Sequence, residues 1–283
     1  MRFARILPSM GCRRGLFAIA LTLSACAAAA APPVPAVDLA VDRTVPIPPA
    51  ATHHMGREIA QTMHYTGAPW LVRESRQREE DCRMLVEALA IKPGQVLCDM
   101  GCGNGFYTLE LARRVGPRGL VYAVDVQPEM LQMLAERLAR EGIRNVRPVL
   151  GTPIDPRLPR ESLDLVLCVD VYHEFSHPEA MLGRIRESLK PDGLLVLAEF
   201  RGEDPAVPIK PLHKMTKAQV RAELEPAGYA LERQFDRLPW QHLLFFQPAE
   251  GPREAATDGS MPGTATPEAD GARRGNPRRH AGR

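Results

Sequence analysis

The chain has 283 residues, enough for one large domain with flanking segments. Lys and Arg number 36 against 34 Asp and Glu, a net charge of +2, and aromatic residues make up only 5%; this argues against the basic, aromatic-studded surface of a nucleic-acid binder. The hydrophobic share of 45% is that of a globular protein, and the six cysteines lack the paired spacing of a structural zinc site.

The first 31 residues have the layout of a signal peptide or membrane anchor. Arg2, Arg5, Arg13 and Arg14 precede an apolar run from Gly15 to Ala25, and alanines continue to Ala31. That run is short for the roughly 20 apolar residues that span a bilayer. Leu23-Ser24-Ala25-Cys26 resembles the lipobox of bacterial lipoproteins, which implies a lipid on Cys26; the other reading is cleavage after the alanines, with Cys26 discarded. Arg13-Arg14 loosely resembles a twin-arginine export signal. The expected location is exported, periplasmic or membrane-tethered, the alternative being an N-terminal anchor with the domain in the cytoplasm. Residues 32–56 carry Pro32, Pro33, Pro35, Pro46, Pro48 and Pro49 and read as an extended tether.

Residues 57–93 read as a helical preamble. Tyr65 to Leu71 suggests a turn with an aromatic anchor, and Tyr65, Trp70 and Arg73 are candidates for a lid. Ser75 is placed to cap a helix whose apolar positions are Cys82, Leu85, Val86 and Leu89, stopped by Lys92-Pro93-Gly94. An alternation follows. Strands are expected over about 95–100, 120–126, 146–150, 163–169 and 194–200; helices over about 105–115, 128–141, 178–190 and 216–227. Two closing strands, about 229–238 and 241–247, are separated by a turn near Pro239. Repeated βα units predict a doubly wound, mostly parallel seven-stranded α/β sheet. The short connection in the last pair reverses the terminal strand. From 248 to 283 large apolar residues nearly vanish, the composition of a disordered tail.

The chemistry centres on Asp99-Met100-Gly101-Cys102-Gly103-Asn104-Gly105, between an apolar strand and a helix N-terminus. Such glycines let the backbone turn and let a ligand approach it. Asp125 lies twenty residues beyond Gly105, at the end of the second strand. There it is suited to accept from ribose hydroxyls, or to serve as a turn or cap acid. A nicotinamide-binding turn would need glycine where Phe106 stands, which disfavours an NAD-binding oxidoreductase.

With these residues in place, the sequence resembles the class I S-adenosylmethionine-dependent methyltransferases over about residues 57–247. The resemblance implies a Rossmann-like fold and S-adenosylmethionine as cofactor. It implies that Asp99, Gly101, Cys102, Gly103 and Gly105 hold the methionine part, and that Asp125 and Val126 meet the ribose side. Gly151 to Asp155 stands where the family contacts adenine, leaving that contact between Thr152 and Asp155. The family commonly has an acid where this chain has Thr152.

The segment Asp170-Val171-Tyr172-His173-Glu174-Phe175 leaves the fourth strand beside the first, at the switch point of the sheet. His173 is the candidate base and Asp170 a candidate for catalysis or cofactor contact; the plainer roles are loop orientation and turn capping. His53, His54 and His64 lack acids or cysteines at ligand spacing, so no metal is expected. Cys98, Cys102 and Cys168 are either small buried fillers or, in an oxidising compartment, the source of a Cys98–Cys168 or Cys102–Cys168 disulfide. The expected acceptor is a small molecule or envelope component, with pocket walls drawn from the preamble and from Arg201 to Met215. A non-catalytic binding lipoprotein on the same scaffold is the competing reading.

Overall fold

The computed structural model describes residues 46–249. The signal or anchor segment, the twin-arginine and lipobox features, most of the tether and the tail beyond Ala249 lie outside the described residues. No helix among the described residues is long and apolar enough to cross a membrane.

The chain enters along the domain surface. The Ala51 N–H donates to the Ser176 carbonyl at 3.0 Å. β1 (His53–His54) and β2 (Arg57–Glu58) form a small antiparallel hairpin, so the boundary drawn at residue 57 falls inside it. A 3-10 turn at Tyr65–Gly67 leads into α1 (Ala68–Leu71). The single helix expected after Ser75 is two: α2 (Arg76–Glu80) and α3 (Cys82–Ala88). Asp81 divides them at φ 47°, and its carboxylate caps α3 by accepting from the Met84 N–H at 3.1 Å. Ser75 makes no side-chain cap. An acid can occupy the left-handed region more readily than an apolar residue, because it bonds the local backbone.

The core then follows the expected alternation: β3 (Val96–Met100), α4 (Phe106–Val115), β4 (Leu120–Asp125), α5 (Pro128–Glu141), β5 (Val146–Leu150), β6 (Leu163–Val169), α6 (Pro178–Ser188), β7 (Leu189–Arg201), β8 (Lys214–Met215), α7 (Lys217–Leu224), β9 (Tyr229–Phe235) and β10 (Gln241–Pro248). The sheet order is β5-β4-β3-β6-β7-β10-β9, with two-residue β8 beside β7. β10 runs antiparallel to both neighbours; the pairs from β5 to β7 are parallel. β7 starts five residues earlier than expected. Leu163 pairs with Leu189 and Leu165 with Leu194, so Lys190 to Gly193 bulge out where the stop signal Pro191-Asp192-Gly193 stands.

Alternate strand residues feed two cores. Leu97, Ala123, Leu165 and Val196 pack with α3, α4 and α5; Cys98, Val124, Val166 and Leu195 pack with α6 and α7. Both faces are covered, which is why these strands read as apolar runs. The order reverses between β3 and β6, and the carboxyl ends of those two strands frame the site.

Candidate functional site

The loop after β3 lies flat against its neighbours. Gly101 and Gly103 have φ of 65° and 53°; a Cβ on Gly101 would run into Val171 Cγ2, and one on Gly103 into Leu71 Cδ1. Both residues line a cavity of about 770 Å³ at the switch point. The rest of the motif supports them from behind. Asp99 is buried and accepts from Thr108 Oγ1 at 2.5 Å, Cys102 is buried, and Gly105 precedes α4. None of these three side chains or positions lines the cavity. Burial raises the Asp99 pKa to about 6, against the pull of the Thr108 hydroxyl and the Arg76 charge.

The end of β4 forms the next wall. Asp125 Oδ2 accepts from the Gly103 N–H and Oδ1 from the Gln127 N–H, each at 2.9 Å. A carboxylate has about four acceptor sites, so these bonds leave capacity for a ligand hydroxyl. Burial lifts the Asp125 pKa while the backbone donors restrain it. Val126 and Gln127 line the cavity beside it. Of the two adenine-side candidates, Thr152 lines the cavity and Asp155 does not. Asp155 closes the turn instead: its carbonyl accepts from the Thr152 N–H at 2.8 Å and its carboxylate from the Arg157 N–H at 2.7 Å.

The opposite wall comes from the turn after β6. Asp170 sits at φ 53°; its Oδ2 accepts from Gln241 Nε2 at 2.7 Å, and its buried Oδ1 has no partner among the described residues. Burial, with the Glu80 and Glu199 charges, holds its pKa well above the usual carboxylate range. His173 is 1% exposed, and its Nδ1 lies 2.6 Å from Glu199 Oε2. A carboxylate only accepts, so the ring hydrogen is on Nδ1 and donates to Glu199. Its Nε2 then lies 3.1 Å from His213 Nδ1. Burial opposes the imidazolium, but Glu199 outweighs it and raises the His173 pKa; burial and the His173 charge lower that of His213. Burial pushes Glu174 up to about 7.

The preamble covers the cavity from outside. Trp70 and Arg73 line it, with the guanidinium 3.7 Å from the Trp70 ring centre. Tyr65 does not line it. Its N–H donates to Gln127 Oε1 at 2.7 Å, while Gln127 Nε2 donates to the Met63 carbonyl at 2.9 Å. Gln127 thus ties the preamble to the β4 wall. Arg73 and Arg76 both donate to Glu80, at 2.7 and 2.8 Å.

Several site residues escaped the sequence reading. Glu199 carried one signal, a lone acid inside an apolar strand. His213 lay in the stretch named as a pocket wall, without a mark of its own. Gln127, Gln241 and Arg76 gave none. His53, His54 and His64 do not form a ligand cluster, but among the described residues His173, Glu174 and His213 bring three ligand atoms within 4.8 Å of one another. Cys82, Cys98, Cys102 and Cys168 are buried free thiols; Cys98, Cys102 and Cys168 are thus the small buried fillers of the first reading, and neither alternative disulfide is formed.

A family model described as a methyltransferase domain matches residues 91–241, more than half of the chain. Nocamycin O-methyltransferase of Saccharothrix syringae is 34% identical over 115 residues, which is 41% of each chain. A ubiquinone/menaquinone biosynthesis C-methyltransferase of Hydrogenovibrio crunogenus is 32% identical over 119 residues, 42% of this chain and 47% of its own. The chain spans less than half the length of these two curated relatives. A solved SAM-dependent methyltransferase from Aquifex aeolicus superposes with a TM-score of 0.63 at 25% identity, covering 66% of this chain and all of that one.

Proposed function

Because the chain belongs to the methyltransferase-domain family, we propose that it moves a methyl group from S-adenosylmethionine to a hydroxyl of a small, largely apolar acceptor. The observation that carries this reading is that one cavity holds both halves of the chemistry. The Gly101–Gly103 backbone and the Asp125–Gln127 wall stand on one side, and His173, backed by the buried Glu199, on the other.

The residues present fit the donor. The two glycines keep a cradle open that a Cβ would fill, Asp125 retains acceptor capacity, and Asp170 Oδ1 is a buried polar atom without a partner among the described residues. Gly101, Gly103, Asp125, Val126 and Thr152 would hold it. When bound, it supplies a methyl group on a positively charged sulfur, already an electrophile. The protein therefore has to align and activate the acceptor. Met100, Val171, Phe175 and Phe200 give the cavity apolar walls against which an acceptor can pack. Glu199 fixes the His173 ring at the cavity wall with its Nε2 lone pair toward His213, and the acceptor hydroxyl gives up its proton at this His173–His213 end of the cavity. The names of the relatives, a nocamycin O-methyltransferase and a ubiquinone/menaquinone biosynthesis C-methyltransferase, support a small-molecule acceptor. The basic, apolar and alanine-rich start of the chain supports a place at the membrane; a reporter fused after residue 50 reads on which side the domain lies.

Calorimetry of the full chain with S-adenosylmethionine tests the reading, with NADH as control, followed by methyl transfer to phenols and hydroxylated polyketides. Binding of the first ligand only, and transfer lost in His173→Ala, is the expected result. No binding at millimolar S-adenosylmethionine would overturn it, and binding without transfer to any acceptor favours the non-catalytic alternative.

A further inference from the structure

We propose that His173, His213 and Glu174 form a divalent transition-metal site at the acceptor end of the cavity, and that the ion binds the hydroxyl to be methylated. The proposal rests on the reading of the cavity given above and specifies how that hydroxyl loses its proton. His173 and Glu174 come from the turn at Tyr172–Glu174, and His213 from the turn at Pro211–His213, so the ligands are held from two elements.

The geometry suits an ion. The two ring nitrogens, His173 Nε2 and His213 Nδ1, are 3.1 Å apart. Two metal–nitrogen bonds of about 2.05 Å spanning that distance enclose an angle of roughly 98°, between octahedral and tetrahedral values. Glu174 Oε1 lies 4.0 and 3.9 Å from those nitrogens. It needs to close by roughly 0.7 Å to bond at about 2.1 Å, within the reach of a small side-chain rotation.

The surroundings suit it as well. A metal-binding imidazole characteristically donates its other N–H to a carboxylate, which fixes tautomer and orientation. His173 does this to Glu199, itself fully buried and held by the Tyr172 N–H at 3.1 Å. Two imidazoles and one carboxylate favour zinc, iron, cobalt, nickel or manganese over magnesium or calcium. Three protein ligands leave coordination positions directed into the cavity, as in a catalytic rather than a structural site. An acceptor hydroxyl bound there loses its proton to water and stays on the ion as an alkoxide or phenolate. Its oxygen remains free to attack the methyl carbon.

The test uses the full chain without an affinity tag, stripped with a chelator and titrated with Zn²⁺, Mn²⁺ and Co²⁺ separately. The expected result is one tightly held ion per chain, with a Co²⁺ visible spectrum characteristic of mixed imidazole–carboxylate ligation. His213 is partly exposed, so His213→Ala should fold normally. It should lose that spectrum and bind at least about tenfold more weakly, and Glu199→Gln should weaken binding about 10- to 100-fold. The proposal is overturned if no stoichiometric ion binds, if His213→Ala binds it as the parent does, or if methyl transfer survives chelation unchanged. S-adenosylmethionine binding by the chelated protein is measured in parallel. Its loss would count against the methyltransferase reading, whereas its persistence without any metal site would sink this proposal alone.

Discussion

Glu199 stands in β7 between Ala198 and Phe200, inside the buried apolar run from Leu195 to Phe200. Its two oxygens hold His173 and the Tyr172 backbone, so it acts through another residue. Glu199→Gln is expected to lower kcat about tenfold or more while leaving the cofactor Kd unchanged, because it does not line the cavity. Steady-state kinetics beside calorimetry reads that split; equal losses in both would mean general damage. Asp99 carries a different consequence. Its folded pKa of about 6 lies above its ordinary value of 3.8, so the native state holds a proton that the unfolded state has released between those pH values. Stability therefore falls as pH rises from about 4 to 6, by up to about 3 kcal/mol, and the penalty stays constant above that. Asp99→Asn, which can still accept from Thr108, should flatten that slope in urea titrations; an unchanged slope would place the effect elsewhere. Spacing from the glycine loop pointed to Asp125, because strand ends sit at fixed distances along the chain, whereas Thr152 came only as one of two candidates implied by the family resemblance. Spacing could not reach His213 or Gln241, whose partners His173 and Asp170 lie 40 and 71 residues away.

At the scale of elements, the breaks rather than the elements were hard to read. The strands of the parallel half were legible because both of their faces are buried. The preamble was not, because Cys82, Leu85, Val86 and Leu89 keep helical spacing whether the helix begins at Ser75 or at Asp81. Asp81 decides this by supplying both the left-handed kink and the cap. Asp81→Ala should cost about 1–2 kcal/mol, from the lost cap and a conformation alanine resists. Asp81→Asn should cost less than about 0.5 kcal/mol. Thermal denaturation of the two variants separates cap from strain, and equal losses would remove the capping argument. The same helices carry Arg73, Arg76 and Glu80 onto the cavity wall, so a fault here reaches the site.

At the scale of the whole molecule, sheet order sets what the site depends on. The reversed final strand was legible from the short connection near Pro239. Its position between β7 and β9 decides more, because it brings Gln241 to Asp170 and seals the β7 edge. A chain stopped at residue 240 should lack cooperative unfolding and bind no S-adenosylmethionine, measured by circular dichroism and calorimetry. A cooperative transition in that fragment would show that β10 is dispensable.

The place of β10 also imposes an order in time. A ribosome releases residues 46–201 with the strands from β3 to β7 already made, and β7 then waits with an open edge until residues 241–248 arrive. That edge is a template for wrong pairings during the interval. The glycine loop, the turn after β6 and Glu199 are all translated early, yet Asp170 gains its Gln241 partner only when one of the last described strands docks. Nascent chains are therefore expected to depend on chaperone cover until this late step, and ligand-binding competence should appear abruptly with it.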